Sequence, residues 1–213
     1  MFPLGSVLLP GAILPLHVFE PRYRDMVRDC LRVDGDPEFG QALITHGWET
    51  GGGDERAMVG TVARMLQVEA LDEHRYALIA VGTRRIRINA WLPDDPYPLA
   101  DVDDWPDDDP DAPGLAETVD AALVRVRAAQ ALALDVARRV DDSSPDASDT
   151  DGDLERGEIS DDPLLASYHL AALAPIGPAD RFRLLSAPGP AARLALLDEI
   201  LDDVEAMLRF RLS

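Results

Sequence analysis

Prolines and a glycine divide the first 23 residues into short segments, and this division constrains the fold more than any other feature. Two apolar runs, residues 7–9 and 12–18, lie on either side of Pro10 and Gly11. Runs this short that end at turn residues are typical of β-strands buried on at least one face. Pro15 interrupts the second run. Because proline cannot donate a ladder hydrogen bond, we expect this strand at a sheet edge or a bulge.

An amphipathic helix is predicted directly after these strands. Pro21 suits a first helical turn, where its missing N–H leaves no hydrogen bond unmade. Apolar side chains then recur at the spacing of one helix face. They are Tyr23, Met26, Val27, Cys30 and Leu31. The pattern predicts a helix over about residues 21–33.

Further short apolar runs occupy the rest of the first 100 residues. The candidate strands are residues 39–45, 58–69, 76–81 and 84–91. Residues 76–81 are apolar on both faces, which predicts a central strand in a sheet that is covered on both sides. Several strands with one intervening helix indicate a small, closed or half-closed β-domain.

The composition changes after this region. Residues 94–113 are rich in aspartate and proline and predict a connector that resists packing. Helical periodicity begins at Leu115 and continues for about seven turns. Residues 141–162 hold ten acids and one arginine, which predicts a disordered loop. Further helices are predicted from an Asp162 cap with Pro163, around Phe182, and from Pro190.

Several motifs in this order resemble one known family. The segment FPLGSVLLPGAILPLHVFEPRYRDM closely resembles the start of the LON substrate-binding domain, the N-terminal domain of Lon-type ATP-dependent proteases, which also occurs as a free-standing protein. Further matches follow in order at residues 59–63, 75–76, 81–86, 95–102, 166–168 and 175–181. The resemblance implies an α+β chain, in which a β-rich, PUA-like pseudo-barrel is followed by a helical bundle. It also implies recognition of protein substrates. We expect the β-rich domain at residues 1–102, an acidic connector at 103–113, and the helical region at 114–213.

The absence of lysine excludes the catalytic machinery of Lon. All 20 basic residues are arginine. A phosphate-binding loop needs a lysine that reaches the phosphates, and here Gly53 is followed by Asp54 instead. A Ser–Lys peptidase pair needs a lysine that loses its proton, which arginine does not do in proteins. We therefore expect no ATPase, peptidase or Schiff-base activity and no cofactor.

The formal net charge of −20 and a pI near 4.3 disfavour nucleic-acid binding. The basic cluster Arg84, Arg85 and Arg87 lies in a strand where Ile86 and Ile88 alternate with polar residues. We interpret it as a solvated face, and a small anion or carboxylate site is the alternative.

The single cysteine, Cys30, excludes an internal disulfide and suits a reducing, cytoplasmic location. No run of 18 apolar residues occurs, so we expect no membrane span. The four histidines lack metal-site spacing. Aspartates at positions 149, 151 and 153 follow the spacing of an EF-hand loop, but alanine occupies its first ligand position.

These observations predict a non-catalytic protein- or peptide-binding module. Its expected partners are unfolded or partly folded polypeptides and a separate protease or chaperone, with no nucleic acid and no membrane. An edge strand interrupted by Pro15 could accept an extended peptide. The candidate binding residues are Pro15, Phe19, Tyr23, Arg85, Trp91 and Tyr97. The alternatives are a small-molecule hydrolase that uses carboxylates where the two regions meet, and an RNA-binding PUA-like module. The oligomeric state stays open.

Overall fold

The computed structural model describes residues 1–32, 37–48, 53–72, 74–141 and 159–212. The predicted α+β class is confirmed, since the described residues form a β-sheet and five helices. The chain divides into two compact units, Met1–Pro106 and Asp107–Ser213. The strands and the first helix lie in unit 1, and the other four helices lie in unit 2.

The element boundaries follow the periodicity of the sequence closely. The strands are β1 Phe2–Leu4, β2 Ile13–Val18, β3 Glu38–His46, β4 Glu55–Asp72, β5 Arg75–Leu92 and β6 Leu99–Asp104. The helices are α1 Pro21–Arg32, α2 Leu115–Asp141, α3 Pro163–Leu173, α4 Pro178–Leu185 and α5 Pro190–Leu212.

The sheet of unit 1 has the order β1-β3-β4-β5-β2. β1 pairs with β3 in parallel, and the other pairings are antiparallel. The two predicted strands 76–81 and 84–91 are one strand, β5. No turn forms at Gly82, because its N–H and C=O pair with Ala12 and Gly11. A Cβ at Gly82 would lie 2.3 Å from the carbonyl oxygen of Leu9, so only glycine allows this close approach.

The prediction of a strand at residues 7–9 is wrong. Side chains of the sheet bind this segment in place of a strand ladder. Gln41 Oε1 accepts a 3.0 Å hydrogen bond from the N–H of Leu8, and Gln41 Nε2 donates to the carbonyl of Ser6 at 2.7 Å. The hydroxyl of Thr61 donates to the carbonyl of Leu8 at 2.6 Å. The buried backbone is therefore satisfied without strand pairing.

The prediction that residues 94–113 resist packing is also wrong, because β6 lies within this stretch and pairs with β5. Its acidic side chains find partners or stay in water. Asp104 accepts a 2.9 Å hydrogen bond from Arg84, and Asp103 accepts one of 2.9 Å from Asn89. Because both carboxylates are exposed and hydrogen-bonded, the strand forms without burying an unpaired charge.

The core of unit 1 lies between α1 and one face of the sheet. Tyr23, Met26 and Val27 are the buried face of α1. The rings of Phe2 and Tyr23 stack with centroids 4.0 Å apart. Leu78 and Ala80 of β5 belong to the same apolar cluster. The helix therefore covers the inner face of the central strand.

In unit 2, α2 and α5 run in the same direction. Arg125 in the first half of α2 donates to Asp202 at 2.7 Å, and Arg139 near the end of α2 donates to the carbonyl of Leu212 at the end of α5 at 2.6 Å. The α3 cap is confirmed, since Asp162 accepts a 3.0 Å hydrogen bond from the N–H of Leu164. The disordered loop and EF-hand spacing predicted between α2 and α3 fall mainly on residues 142–158, outside the described residues.

A buried arginine organises the start of α5. Arg193 is fully buried, and its guanidinium lies 3.6 Å from the ring centroid of Tyr168. It donates to Asp107, to the hydroxyl of Ser167 at 2.8 Å and to the carbonyl of Leu184 at 3.1 Å. Tyr168 donates to the second oxygen of Asp107 at 2.7 Å. Asp107, predicted to lie in the acidic connector, is therefore part of the packed interior of unit 2.

Candidate functional site

β2 is an edge strand, as Pro15 predicts, and among the described strands it pairs only with β5. Its side chains alternate between two environments. Leu14, Leu16 and Val18 pack on the core. Ile13 is 58% exposed, and Phe19, directly after the strand, is 60% exposed. The outward side of β2 therefore presents the apolar residues Ile13 and Pro15 to solvent, with the polar His17 between Pro15 and Phe19.

The missing N–H of Pro15 costs the sheet no hydrogen bond. Gly82 donates to the carbonyl of Ala12 at 2.9 Å, so the backbone of Ala12 faces β5. By antiparallel alternation, the backbone groups of Leu14 also face β5, whereas those of Pro15 face away. A peptide strand added to this edge would therefore receive no backbone hydrogen bond from Pro15, at the centre of β2. The geometry favours recognition through side chains over strand addition.

The apolar side of β2 continues across the outer face of the sheet. Pro15 pairs with Ile79 of β5, and Ile79 pairs with Gln67 of β4. Ile79 is 39% exposed. Leu66, in the bulge next to Gln67, is 58% exposed. We call Ile13, Pro15, Phe19, Leu66 and Ile79 the β2 surface.

This exposure corrects the prediction for residues 76–81. The sequence indicates a central strand covered on both faces, and β5 is indeed central in the sheet. The inner-face residues Leu78 and Ala80 are 2% and 0% exposed. Ile79 between them points to the opposite, outer face and is far more exposed. In β5, apolar residues at both odd and even positions therefore indicate a buried inner face and an apolar outer face that is left exposed.

A small pocket of about 130 Å³ adjoins the β2 surface at Phe19. It lies between β1 and β2 and is lined by Phe2, Leu4, Tyr23 and residues 16–20. Burial raises the pKa of Tyr23 to about 12. The wall of the pocket is mainly aromatic and aliphatic, and it also includes the titratable residues His17 and Glu20.

Three of the six predicted binding residues lie in this region. Pro15 and Phe19 belong to the β2 surface, and Phe19 and Tyr23 line the pocket. Tyr23 itself is 3% exposed, so it shapes the pocket and offers little contact area.

Arg85 lies elsewhere and is 2% exposed. Its guanidinium lies 4.4 Å from the ring centroid of Trp105 and donates to the carbonyl of Pro106 at 3.2 Å. The prediction of a solvated face is therefore wrong for Arg85, because both faces of β5 are covered at this point. Arg84 is exposed but already bonded to Glu38 at 2.8 Å and to Asp104, so internal carboxylates occupy the predicted anion site.

Trp91 and Tyr97 have internal partners. The guanidinium of Arg56 lies 4.9 Å from the Trp91 ring, and Arg56 binds Asp54 at 2.7 Å and Asp94 at 3.0 Å. Tyr97 donates to Asp29 of α1 at 3.0 Å and packs against the core of unit 1. Burial and this hydrogen bond raise the pKa of Tyr97 to about 12. The structure assigns these side chains to packing within unit 1.

The described ranges provide no metal site, since no three or more His, Cys, Asp and Glu side chains are grouped to hold an ion. Within the same ranges, no helix has the length and apolar character needed to cross a membrane.

Sequence reasoning missed three residues of the β2 surface: Ile13, Leu66 and Ile79. One signal was available for Ile13 and Ile79, namely that residues 12–16 and 76–81 are apolar at both odd and even positions. Leu66 carried no such signal, because its exposure depends on a bulge between the Met65–Ala80 and Gln67–Ile79 pairs. A bulge depends on the pairing partner and is not visible in one strand's sequence.

Comparisons with known proteins agree with this architecture. Lon protease 2 of Myxococcus xanthus is 31% identical over 99 residues, which are 46% of this chain and 12% of that protease. The crystal structure of a Lon N-terminal domain protein from Xanthomonas campestris matches with a TM-score of 0.63 and 29% identity, covering 92% of this chain and 94% of that chain. The N-terminal domain of a Mycobacterium avium complex Lon protease shares the fold, with a TM-score of 0.58 and 17% identity, covering 94% and 97%.

The family model described as the ATP-dependent protease La (LON) substrate-binding domain matches residues 1–203. The match covers nearly the whole chain and includes both units. This chain therefore belongs to the family of the LON substrate-binding domain.

Proposed function

We propose that this chain is a non-catalytic module that binds unfolded or partly folded polypeptides at the β2 surface. The observation that carries the proposal is an exposed apolar patch spread over three adjacent strands, in a chain of a substrate-binding family. Contiguous exposed apolar patches on soluble proteins mark sites of interaction. The adjoining pocket at Phe19 could receive one larger side chain.

Apolar burial is the expected driving force. Each 100 Å² of apolar surface removed from water contributes roughly 2.5 kcal/mol before the cost of ordering the polypeptide. Because the outward edge of β2 carries Pro15, strand pairing contributes less than side-chain contact. Binding is therefore expected to tolerate a wide range of apolar sequences.

The absence of lysine supports a role without catalysis. Lon-type ATP hydrolysis and peptide cleavage both require a lysine that this sequence does not contain. We expect the purified chain neither to hydrolyse ATP nor to cleave casein. A separate protease or chaperone in the cytoplasm would then act on the bound polypeptide.

Titration of the full chain with a fluorescently labelled, unfolded model polypeptide tests the proposal. Phe19→Ser should weaken binding several-fold at both low and high salt, because apolar burial is not screened by ions. Phe210→Ser is the matched control, since Phe210 lies in unit 2 and is 82% exposed. Absence of binding at every salt concentration, or equal losses in both variants, would refute the β2 surface as the site.

A further inference from the structure

The positive charge of this chain is largely used internally. In the described part of the chain, twelve arginines form ion pairs with aspartate or glutamate. Two further arginines, Arg85 and Arg87, lie over the ring of Trp105. The acids outnumber the arginines by 40 to 20, so many carboxylates have no arginine available to them. The surface therefore offers mainly negative charge to a partner.

One such carboxylate borders the β2 surface. Ala77 pairs with His17 of β2 on one side and with Glu69 of β4 on the other. Glu69 is exposed, and it has no ion pair or side-chain hydrogen bond with another described residue. Across the three strands, the partners His17, Ala77 and Glu69 lie next to the partners Pro15, Ile79 and Gln67. Two strand spacings place Glu69 about 10 Å from His17 across the outer face.

Two arginines on β4 and β5 and one carboxylate at the pocket are already paired. Arg64 binds Glu38 at 3.0 Å, and Arg75 binds Asp72 at 2.7 Å. Glu20 at the pocket is held by Arg22 at 3.1 Å. Glu69 is thus a negative charge beside the apolar patch that these arginines do not neutralise.

We infer that the polypeptide segments bound by the β2 surface are cationic, with lysine or arginine next to their apolar residues, and that Glu69 receives one of these basic side chains. The inference rests on the proposed function and specifies its substrate class. Apolar residues would cover Ile13, Leu66 and Ile79, while a flanking basic side chain reaches Glu69.

The charge of the whole chain adds a kinetic effect. A protein with 20 excess negative charges attracts cationic segments before contact and repels anionic ones. Such steering raises association rate constants by roughly 10- to 1000-fold and declines steeply with ionic strength. The close contact with Glu69 acts mainly after encounter, on the lifetime of the complex.

Stopped-flow binding of three unfolded peptides to the full chain tests the inference. The peptides share their apolar residues and differ only in net charge, at about +4, 0 and −4. At low salt, we expect the association rate constant of the cationic peptide to exceed that of the anionic peptide at least tenfold. The ratio should approach one at about 1 M salt, where the Debye length is about 3 Å. Equal rate constants at low salt would overturn the charge preference and leave the proposed function standing, whereas no binding by any peptide would refute both.

The contact with Glu69 is tested separately. Glu69→Gln should weaken the cationic peptide roughly two- to fivefold and leave the neutral peptide unchanged, as expected for one exposed ion pair. Glu199→Gln on α5 removes the same charge from an exposed position in unit 2 and is the matched control. If both variants lose the same affinity, general charge is responsible and the role of Glu69 is wrong.

Discussion

The β2 surface of unit 1 and the buried Arg193 of unit 2 place unfavourable side chains in opposite ways. Unit 1 leaves apolar residues in water, with Ile13 and Leu66 each 58% exposed. Unit 2 places a charge inside, with Arg193 fully buried beside Asp107. An exposed apolar side chain adds little to folding, whereas a buried charge is tolerated only when its hydrogen bonds are complete. In the function we propose, the exposed residues of the β2 surface serve binding, whereas the buried Arg193 serves packing.

The largest effect is expected at Arg193. Arg193→Met leaves Asp107 buried without its cation and leaves the hydroxyl of Ser167 without this donor. We expect a loss of about 3–5 kcal/mol in the free energy of unfolding, because the carboxylate would lose its buried cationic partner. Chemical denaturation measures the change. Arg138→Met is the control, since its pair with Asp135 at 3.5 Å is exposed and should contribute at most about 0.5 kcal/mol.

Equal losses of stability in Arg193→Met and Arg138→Met would contradict the claim that a buried ion pair contributes more to stability than an exposed one. A second variant keeps the test clear if Arg193→Met fails to fold. Tyr168→Phe removes only the hydrogen bond to Asp107 and should cost about 1–3 kcal/mol. No measurable change in Tyr168→Phe would contradict the role assigned to the network.

A smaller effect is expected in unit 1 at Thr61. Thr61→Val removes the donor to the Leu8 carbonyl and keeps the shape of the side chain. We expect a loss of about 1–3 kcal/mol, because the buried carbonyl would lose its hydrogen bond. Thr118→Val is the control, since the Thr118 hydroxyl bonds to Gly114 at an exposed site. A full-sized loss at Thr118 and none at Thr61 would contradict this account of how residues 5–9 are held.

The sequence predicted those parts of the fold that depend on local pattern. The 3.6-residue periodicity placed α1, α2 and α5, and proline and aspartate marked the start of α3. The extent of β5 was missed, because Gly82 is also a turn residue and only its contact with Leu9 shows why it lies in a strand. β6 was missed because its aspartates suggested disorder, although Arg84 and Asn89 on β5 bind two of them.

The sequence predicted the residues of the candidate site only where an apolar residue lies in or next to the predicted edge strand. Pro15 indicated the edge strand, and Phe19 follows it directly. Arg85, Trp91 and Tyr97 were chosen as aromatic or basic residues, and their partners Trp105, Arg56 and Asp29 are distant in sequence. Tertiary pairing of this kind cannot be read from residue type. The outer-face residues Leu66 and Ile79 were missed for a related reason, because strand register and bulges decide which side chains lie together on that face.

A pH effect of smaller size is expected in unit 2. Burial lowers the pKa of His169 from its ordinary value of 6.5, and its Nδ1 accepts a hydrogen bond from the N–H of Ser160. The unfolded chain then binds this proton more readily than the folded chain. Stability should therefore fall as the pH decreases below about 6.5. The free energy of unfolding, measured between about pH 7 and pH 5, should fall less steeply in His169→Gln.

His46→Gln is the control substitution, since His46 is an exposed histidine of unit 1. A steeper slope in His169→Gln than in the original chain would show that the folded state favours the protonated ring. The sign assigned to His169 would then be wrong.

The smallest effect on stability and the clearest effect on binding are expected at Leu66. Because Leu66 is 58% exposed, Leu66→Ser should change the free energy of unfolding by no more than about 0.5 kcal/mol. The same substitution should lower the affinity for an unfolded polypeptide, since it removes apolar area from the β2 surface. Leu134→Ser on α2, where the side chain is 41% exposed, is the control for binding and should leave the affinity unchanged. If Leu66→Ser destabilises unit 1 strongly and leaves binding intact, then Leu66 serves packing, and the contrast between the β2 surface and the buried Arg193 fails.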